Sequence, residues 1–165
     1  MSNIKIHILY GSQTGNAEEI SKNIYALLNN KGFLCIYSPL NKAIKNNTFD
    51  FLQNDENVFL IIVCSTTGNG DVPDTANNFW LKLKNRNLEK NIFNKVKYTI
   101  LALGDSNYDN FCKVGKNIDK RLAELGGKRF IDLHCADDAI GEYETVELFI
   151  EKIIKYFILL SNSNS

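Results

Sequence analysis

The run Val58-Phe59-Leu60-Ile61-Ile62-Val63-Cys64 is the most continuous apolar stretch of the chain, and it decides the fold class. A half-exposed strand would alternate apolar and polar residues, whereas this run contains no polar residue. Its length is that of a strand, and a strand that is apolar on both sides belongs at the centre of a parallel sheet with helices on both faces. We therefore expect an α/β fold built around this strand.

Segments with the character of strands alternate along the chain with segments that have the periodicity of helices. Further strands are predicted at Ile4–Tyr10, Phe33–Tyr37, Val96–Leu103 and Lys128–His134. Helices are predicted at Ala17–Lys31, Thr75–Leu88, Phe111–Leu125 and Thr145–Leu160. The stretch Asn41–Glu56 is polar and irregular and receives no assignment. Strict alternation predicts a parallel sheet, because each right-handed crossover needs a helix that covers the sheet.

The size and charge of the chain limit its functional class. Its 165 residues predict one domain, over residues 1–160, and the Ser-Asn-Ser-Asn-Ser sequence of residues 161–165 predicts a disordered tail or the start of a linker. Nineteen Lys and Arg residues balance nineteen Asp and Glu residues, which argues against the broad basic surface of a nucleic-acid-binding protein. Neither a membrane span nor the layout of a signal peptide is present, so a cytoplasmic protein without membrane contact is expected.

The cysteines give no indication of a metal or redox motif. The four residues form no C-x-x-C pair, and only two histidines accompany them. We expect ordinary reduced thiols that are mostly buried, and no metal site. They are Cys35, Cys64, Cys112 and Cys135.

The first predicted strand leads into the loop Gly11-Ser12-Gln13-Thr14-Gly15-Asn16-Ala17 and then directly into a helix. Backbone N–H groups at the start of a helix, with hydroxyl donors beside them, form a cradle for an anion. The loop has neither the Gly-Lys-Ser/Thr of a P-loop nor the G-x-G-x-x-G of a dinucleotide-binding turn. A terminal phosphate monoester suits it, although a simple Ser/Thr-rich helix cap remains an alternative.

Two more glycine-containing loops follow predicted strands, at Ser65–Asp74 and Leu103–Cys112. Ligands of such folds bind at the carboxyl ends of the strands, so these loops should lie beside the phosphate cradle. Tyr108 and Phe111 are aromatic residues in an otherwise polar loop, and each could also be a packing residue. Together with the cradle, they suggest a planar heterocycle on a phosphate-bearing tail.

These three loops, with Ala136-Asp137-Asp138 after the fifth strand, resemble the FMN-binding loops of flavodoxin-like domains, and in particular those of the diflavin reductase family. Within that family the sequence is most similar to the methionine synthase reductases, and next to the diflavin reductases of cytosolic iron–sulfur assembly. The resemblance implies a flavodoxin-like, doubly wound five-stranded parallel sheet of order 2-1-3-4-5 with helices on both faces. It implies FMN as the cofactor, and no catalytic residue of its own.

The resemblance also implies a role for individual residues. The FMN phosphate would be held by Ser12, Gln13, Thr14, Gly15, Asn16 and Ala17. One side of the isoalloxazine ring would be lined by Ser65, Thr66, Thr67 and Gly68. The other side would be lined by Leu103, Gly104, Asp105, Ser106, Asn107, Tyr108, Phe111 and Cys112, with Tyr108 stacked on the ring. Asp138 matches an acidic residue of the FMN site. Thr67 and Val72 depart from the family, which often has an aromatic residue and a proline there.

As a member of that family, the chain would pass single electrons from an FAD/NADPH reductase module, in cis or in trans, to a protein acceptor. It would be part of an NADPH-dependent oxidoreductase without complete turnover of its own. A free-standing flavodoxin, a quinone reductase or a flavin-free module are the alternatives.

Three segments that contain ten acidic residues and no Lys or Arg predict an acidic rim around the flavin edge, to which a basic partner would dock. Helix capping is an alternative explanation for some of these acids. They are Asp71, Asp74, Asp105, Asp109, Asp137, Asp138, Glu142, Glu144, Glu147 and Glu151.

Overall fold

Eight strands and four α-helices are present in a computed structural model that describes residues 4–53 and 58–163. The first half contains β1 (Lys5–Gly11), α1 (Asn16–Asn30), β2 (Leu34–Pro39), β3 (Ile44–Lys45), β4 (Thr48–Phe49) and β5 (Val58–Ser65). The second half contains α2 (Asn77–Leu83), β6 (Val96–Gly104), α3 (Lys113–Glu124), β7 (Lys128–Arg129), β8 (His134–Asp137) and α4 (Tyr143–Ser163). The α/β class that the alternation predicts is therefore confirmed.

The main sheet is parallel and has the order β2-β1-β5-β6, with β7 and β8 both pairing with β6 at the far edge. Strand β5 lies between β1 and β6, and all of its residues from Val58 to Cys64 are buried. This is the central position that its uninterrupted apolar sequence predicts. Counted by position across the sheet, the order is the predicted 2-1-3-4-5.

The fifth position of the sheet differs from the prediction of one strand over Lys128–His134. Two short strands, β7 and β8, occupy it, and residues 130–133 between them belong to neither strand, although the Phe130 N–H still donates to the Tyr98 carbonyl oxygen of β6 at 3.0 Å. The ring of Phe130 packs instead against Phe59, at 5.4 Å between ring centroids, and against Phe157, at 5.5 Å. The edge is therefore interrupted next to a residue whose ring packs against both β5 and α4, and the sheet has six strands rather than five.

Helix α2 is shorter than the predicted span Thr75–Leu88. Thr75 lies outside it because its hydroxyl is hydrogen-bonded to the backbone of Ser12. At the other end, Arg121 donates hydrogen bonds to the carbonyl oxygens of Leu83 and Asn85, which ends the helix at Leu83. Both boundaries are set by residues distant in sequence.

The irregular stretch after β2 forms a 3-10 turn (Leu40–Ala43), the hairpin β3–β4 and a second 3-10 turn (Asp50–Leu52). Residues 54–56 of this stretch lie outside the described part of the chain. Helix α4 continues to Ser163, so residues 161–163 are helical, where a disordered tail or the start of a linker was expected. Residues 164–165 lie outside the described part.

Two apolar cores lie on opposite faces of the sheet. Helices α1 and α4 cover one face, and α2, α3 and the segment 40–52 cover the other. This arrangement leaves the carboxyl ends of β1, β5, β6 and β8 together at one edge, where their loops meet. In the described part of the chain, no helix has the combined length and hydropathy that crossing a membrane requires.

Candidate functional site

A cleft of about 540 Å³ opens where the carboxyl ends of the strands meet. All three predicted loops contribute to its wall, together with the segment after β8. The lining residues are Gln13, Thr14, Asn16, Ser65, Thr66, Thr67, Gly68, Leu103, Gly104, Asp105, Tyr108, Asn110, Cys112, Asp138 and Glu142. The structure thus brings the predicted loops together at a single site.

The loop between β1 and α1 has the geometry of an anion cradle. Gly15 precedes α1 with a left-handed φ of 98°, and its N–H donates to the Ser12 hydroxyl at 2.8 Å. The first N–H groups of a helix have no partner within the helix, so those at the start of α1 are free to bind an anion. Among the described residues that line the cleft there is no Lys or Arg. Amide and hydroxyl donors must therefore supply the binding.

Residues just before α2 hold this loop in place. Thr75 Oγ1 accepts a hydrogen bond from the Ser12 N–H at 2.8 Å and donates one to the Ser12 carbonyl oxygen at 3.0 Å. In the preceding residue, the Asp74 N–H donates to Gln13 Oε1 at 3.1 Å. The loop is thereby fixed against a second segment before any ligand binds.

The wall after β5 is a tight turn over residues 67–71. Thr67 and Asp71 exchange two backbone hydrogen bonds of 2.9 and 2.8 Å, and the Thr67 hydroxyl donates to the Asp71 carbonyl oxygen at 2.9 Å. Gly68 and Gly70 have positive φ angles of 47° and 117°. Gly68 is exposed, and a Cβ at this residue would meet no atom within 4 Å. Its left-handed backbone, rather than crowding, is what favours glycine there.

The opposite wall comes from the loop after β6. Tyr108 lines the cleft and is 51% exposed, so part of its side chain is accessible to a ligand. Asn110 Nδ2 donates to the Asn69 carbonyl oxygen at 2.6 Å and thereby joins this wall to the turn over residues 67–71. Cys112 precedes α3 with a left-handed φ of 56° and is fully buried.

Several predicted residues have structural contacts that their sequence did not indicate. The Thr66 hydroxyl lies in the cleft wall but accepts the Val114 N–H at 3.1 Å, so it caps the start of α3. Six predicted residues belong to the same loops without lining the cleft; they are Ser12, Gly15, Ala17, Ser106, Asn107 and Phe111. Their contact with a cofactor stays a prediction.

Two of the lining residues, Asn110 and Glu142, were not assigned to the site from the sequence. Glu142 Oε1 accepts a hydrogen bond from Asn16 Nδ2 at 2.6 Å, which joins the start of α1 to the segment before α4. Asn110 lies within the predicted loop Leu103–Cys112, and its polar amide side chain is the sequence feature that could have indicated a place in the site. Glu142 was noted only as one of the acids of the rim.

Three acids of the predicted rim line the cleft, namely Asp105, Asp138 and Glu142. Most of the rim acids are exposed, and none of them belongs to an ion pair within 4 Å among the described residues. Asp137 accepts the Ser106 N–H at 2.9 Å, and hydrogen bonding from Ser106 lowers the pKa of this carboxyl group. The Asp137 carboxylate is thereby held in its charged form.

The donor set and volume of the cleft suit a planar ligand with a phosphate tail. Free amides lie at the α1 end, and the Tyr108 ring and the glycine turn lie at the other. The flavodoxin family profile matches residues 8–151. The chain belongs to the flavodoxin family, and FMN is the cofactor of this family.

The relatives that match most of the chain are larger reductases. The chain is 40% identical over 143 residues to the methionine synthase reductase of Bos taurus, in an alignment that covers 87% of this chain and 20% of that protein. It is 41% identical over 125 residues to the sulfite reductase [NADPH] flavoprotein alpha-component of Bacillus subtilis, with 76% of this chain and 19% of that protein covered. The chain thus spans about one fifth of these relatives, and the predicted resemblance to diflavin reductases is confirmed.

Solved structures agree on the fold. A flavodoxin of Streptococcus pneumonia TIGR4 superposes with a TM-score of 0.65 at 25% identity, over 92% of this chain and 99% of that one. A mutant form of the flavodoxin from Pseudomonas aeruginosa superposes with a TM-score of 0.72 at 24% identity, over 91% of this chain and 96% of that one. The flavodoxin-like fold is therefore confirmed.

Proposed function

We propose that this chain is the FMN domain of an NADPH-dependent diflavin reductase of the methionine synthase reductase type. It receives single electrons from an FAD/NADPH module and passes them to a protein acceptor. The observation that carries the proposal is the cleft itself, which joins an amide cradle for phosphate to an open aromatic wall. The 39–40% identity to methionine synthase reductases of several animals supports the subfamily.

In this proposal the two ends of the cleft have different tasks. The first-turn amides of α1 and the Thr14 hydroxyl hold the phosphate, while the walls at residues 65–68 and 103–112 enclose the ring. When bound, FMN supplies a carrier that can take up and release electrons one at a time. Stacking on Tyr108 contributes about 1–3 kcal/mol, by analogy with base–aromatic stacking.

Gly68 and Asp138 adjust the properties of the ring in this proposal. Gly68 allows the peptide beside the ring to change orientation, because glycine populates both signs of φ at little cost. Asp138 and the phosphate both disfavour further negative charge on the flavin. They therefore lower the reduction potential of the second one-electron step, in which the flavin would become anionic.

The acidic rim would steer a basic partner towards the exposed edge of the cleft. Glu144, Glu147 and Glu151 share one face of α4 and extend the charge away from the loops. Long-range attraction of this kind increases the association rate and weakens as salt is added. Unpaired acids at a surface favour docking over an internal structural role.

Reconstitution with a reductase partner tests the proposal. The FMN-loaded chain is mixed with the FAD/NADPH module of a methionine synthase reductase, NADPH is added, and reduction of a basic haem protein is followed by absorbance. We expect reduction that requires both flavoproteins and slows as salt rises. Turnover without the added module would instead indicate a self-sufficient reductase, and a failure to retain FMN would indicate a flavin-free module.

A charge-neutralised variant tests the rim separately. Replacing Glu144, Glu147 and Glu151 together by Gln should slow the bimolecular step and reduce its dependence on salt. Glu89→Gln is the control, because Glu89 is exposed but lies outside the rim. Equal rates and equal salt dependence in the two variants would contradict docking on the rim.

A free-standing flavodoxin is the second candidate. It is supported by the flavodoxin of Streptococcus pneumonia TIGR4, of which this fold covers 99%. Such a carrier would exchange electrons with a separate reductase, and the reconstitution would then succeed with unrelated reductases equally well. The cytoplasmic location stays a prediction.

A further inference from the structure

A second cavity, of about 410 Å³, lies between the sheet and the segment 40–52 that covers it. In the described part of the chain, it shares no lining residue with the cleft at the carboxyl ends of the strands. Its apolar wall includes Leu9 and Ile36 on the sheet side, and Ile44 and Phe51 on the side of the segment. The cavity is therefore a separate space that the proposed flavin function does not use.

His7 is a buried polar residue in the wall of this cavity. Its side chain is 8% exposed, and no hydrogen bond to its ring is present among the described residues. The ring nitrogens are also not among the described polar atoms that are both sealed from solvent and without a partner, which are Ser21 Oγ and Thr99 Oγ1. Buried polar groups are normally satisfied by protein, water or a ligand. The His7 ring is thus available to a group that enters the cavity.

The protonation state of His7 determines what this ring can bind. Burial, and secondarily Lys5, lower the pKa of His7 to about 4, against a smaller effect of Asp50. The neutral imidazole at pH 7 has one N–H donor and one acceptor nitrogen, and a hydroxyl group can pair with either. A charged group would lose its hydration among the apolar walls. The inner part of the cavity therefore favours a neutral hydroxyl group.

The mouth of the cavity has a positive charge. Lys42 lines the cavity and is exposed, and none of the described carboxylates lies within 4 Å of its ammonium group. Asp50 is paired with Lys45, at 3.5 Å between Oδ2 and Nζ, so that these two charges offset each other. The charge of Lys42 remains and attracts an anionic group, which can stay hydrated at this exposed position.

The wall of the cavity is held in place by contacts within the protein. Asn41 Nδ2 donates to the Asp74 carbonyl oxygen at 2.7 Å, and Asn41 Oδ1 accepts the Phe79 N–H at 3.1 Å. The ring of Phe51 packs edge-on against that of His7, at 6.2 Å between centroids. A preformed, mostly apolar cavity with a few polar groups is typical of a small-molecule site.

We propose that this cavity binds a small aromatic carboxylate that carries a hydroxyl group at the opposite end of its ring system. The hydroxyl group pairs with the His7 ring, the flat apolar body lies against Phe51 and Ile36, and the carboxylate lies near Lys42 at the mouth. An aromatic body suits a wall that already contains two rings, because aromatic pairs gain from edge-to-face contact. A cationic ligand would be repelled at the mouth, and a hydrophilic one would leave the apolar wall without a partner.

The fluorescent compound 6-hydroxy-2-naphthoate is the probe that tests the proposal. It is titrated into the whole chain with and without saturating FMN, and the ring protons of the two histidines are followed by NMR. We expect a dissociation constant of about 1 mM or less, the range expected for a ligand of this size. The His7 signals, identified by their loss in His7→Phe, should shift while those of His134 do not. Displacement of the probe by FMN, a shift of His134 alone, or no binding in the millimolar range would overturn the proposal.

The hydroxyl contact is tested with 2-naphthoate, which has the same body and carboxylate but no hydroxyl group. His7→Phe keeps an aromatic ring beside Phe51 and removes the ring nitrogens, so it should weaken binding of 6-hydroxy-2-naphthoate about five- to tenfold. Binding of 2-naphthoate should stay nearly unchanged in this variant. Equal effects on the two compounds would contradict recognition of the hydroxyl group by His7.

The charge contact is tested with 2-naphthol, which lacks the carboxylate. Lys42→Met should weaken binding of both carboxylates about two- to fivefold, as for an exposed ion pair, and leave 2-naphthol unaffected. Lys90→Met is the matched control, because Lys90 is exposed and does not line the cavity. Circular dichroism shows whether each variant is folded. The same loss of affinity in both lysine variants, or no loss in Lys42→Met, would overturn the proposed orientation of the ligand.

Discussion

The loop that we propose holds the FMN phosphate (the phosphate loop, residues 12–16) and the glycine turn (residues 67–71) both line one cleft, at its two ends, and are held in different ways. The phosphate loop is fixed by side chains of another segment, with Thr75 bonded to both backbone polar groups of Ser12. The glycine turn is closed mainly by its own backbone, and Asn110 is its one side-chain tie to the opposite wall among the described residues. One end is preorganised, while the other can rearrange.

In the proposed function, this difference suits a redox flavin. A phosphate carries the same charge in every oxidation state, so a fixed set of donors serves it without reorganisation. The ring changes its hydrogen-bonding pattern when it is reduced, and a turn with left-handed glycines can follow that change. We therefore expect substitutions at the two ends to separate affinity from redox potential.

The largest expected effect comes from a residue at neither end of the cleft. It concerns the stability of the fold and is separate from flavin binding. His7 is 8% exposed in β1, with its ring 6.2 Å from that of Phe51. Burial, and secondarily Lys5, lower the pKa of His7 to about 4, against a smaller effect of Asp50. The native state thus binds fewer protons than the unfolded state, so stability contributed by neutral His7 is present above pH 6.5 and is lost as the pH falls towards 4.

For that shift, the loss in the free energy of unfolding is at most about 3 kcal/mol. Urea unfolding at a series of pH values, compared between the wild type and His7→Phe, isolates this contribution. The difference between the two proteins should change between pH 6.5 and 4 and be flat above. A difference that does not vary with pH would show that His7 titrates normally.

The next largest effect is expected from the brace of the phosphate loop, which consists of the two hydrogen bonds between Thr75 and the backbone of Ser12. Thr75→Val keeps the shape of the side chain but removes the partner of the Ser12 N–H, and an unsatisfied amide of this kind costs about 1–3 kcal/mol. If this loss destabilises the loop conformation that binds FMN, the affinity for FMN should drop by about tenfold for each 1.4 kcal/mol. Fluorescence quenching of FMN measures it. Thr75→Ser, which keeps the hydroxyl, should bind like the wild type, and equal binding by all three proteins would contradict the brace.

The role of the glycine turn is tested by a substitution at Gly68. The backbone strain that it introduces can be reproduced by a control substitution outside the cleft. Gly68→Val places a branched side chain at a left-handed φ of 47°, which costs about 1–2 kcal/mol without a steric clash. Gly32→Val is the control, since Gly32 has a φ of 89°, equally open surroundings and no place in the cleft.

Potentiometric titration distinguishes the two glycine variants. Both should lose similar stability, but only Gly68→Val should narrow the separation between the two one-electron potentials. FMN affinity should change less than in Thr75→Val. If the separation between the two one-electron potentials were unchanged in Gly68→Val, the peptide at Gly68 would not have the proposed role of changing orientation beside the ring.

The smallest effect is expected from the tie between the two walls. Asn110→Ala removes the hydrogen bond to the Asn69 carbonyl oxygen, which is worth about 1 kcal/mol. The turn then moves more freely, and the two potentials should shift slightly while phosphate binding is retained. Asn91→Ala is the control, because Asn91 is exposed and does not line the cleft. The same titration compares them, and identical potentials in the two variants would show that the tie is without effect on the ring.

The sequence predicted the elements whose signal is local and missed the features that depend on distant contacts. The apolar run of β5 and the loop before α1 could be assigned from the sequence. The residues that indicate a buried strand, and those that indicate the N-terminus of a helix, are consecutive in the chain. The fifth strand is interrupted beside Phe130, whose ring contacts Phe59 and Phe157, and no local pattern reveals contacts with residues so distant in sequence.

The same distinction holds within the site. Loop composition was sufficient to predict the cleft, but not that Thr66 uses its hydroxyl to cap α3. The bond between Asn16 and Glu142 joins residues 126 positions apart and follows only from the fold. Contacts of this kind become visible when the carboxyl ends of the strands are brought to one edge.

The most direct measurement of the central claim is the ratio of the affinities for FMN and for riboflavin, which lacks the phosphate. With two charge-assisted hydrogen bonds from the phosphate loop, we expect FMN to bind about a hundredfold more tightly. Thr75→Val should reduce this ratio, whereas Gly68→Val should leave it unchanged. Equal affinity for the two flavins, or the same ratio in both variants, would contradict a fixed phosphate end and an adjustable ring end.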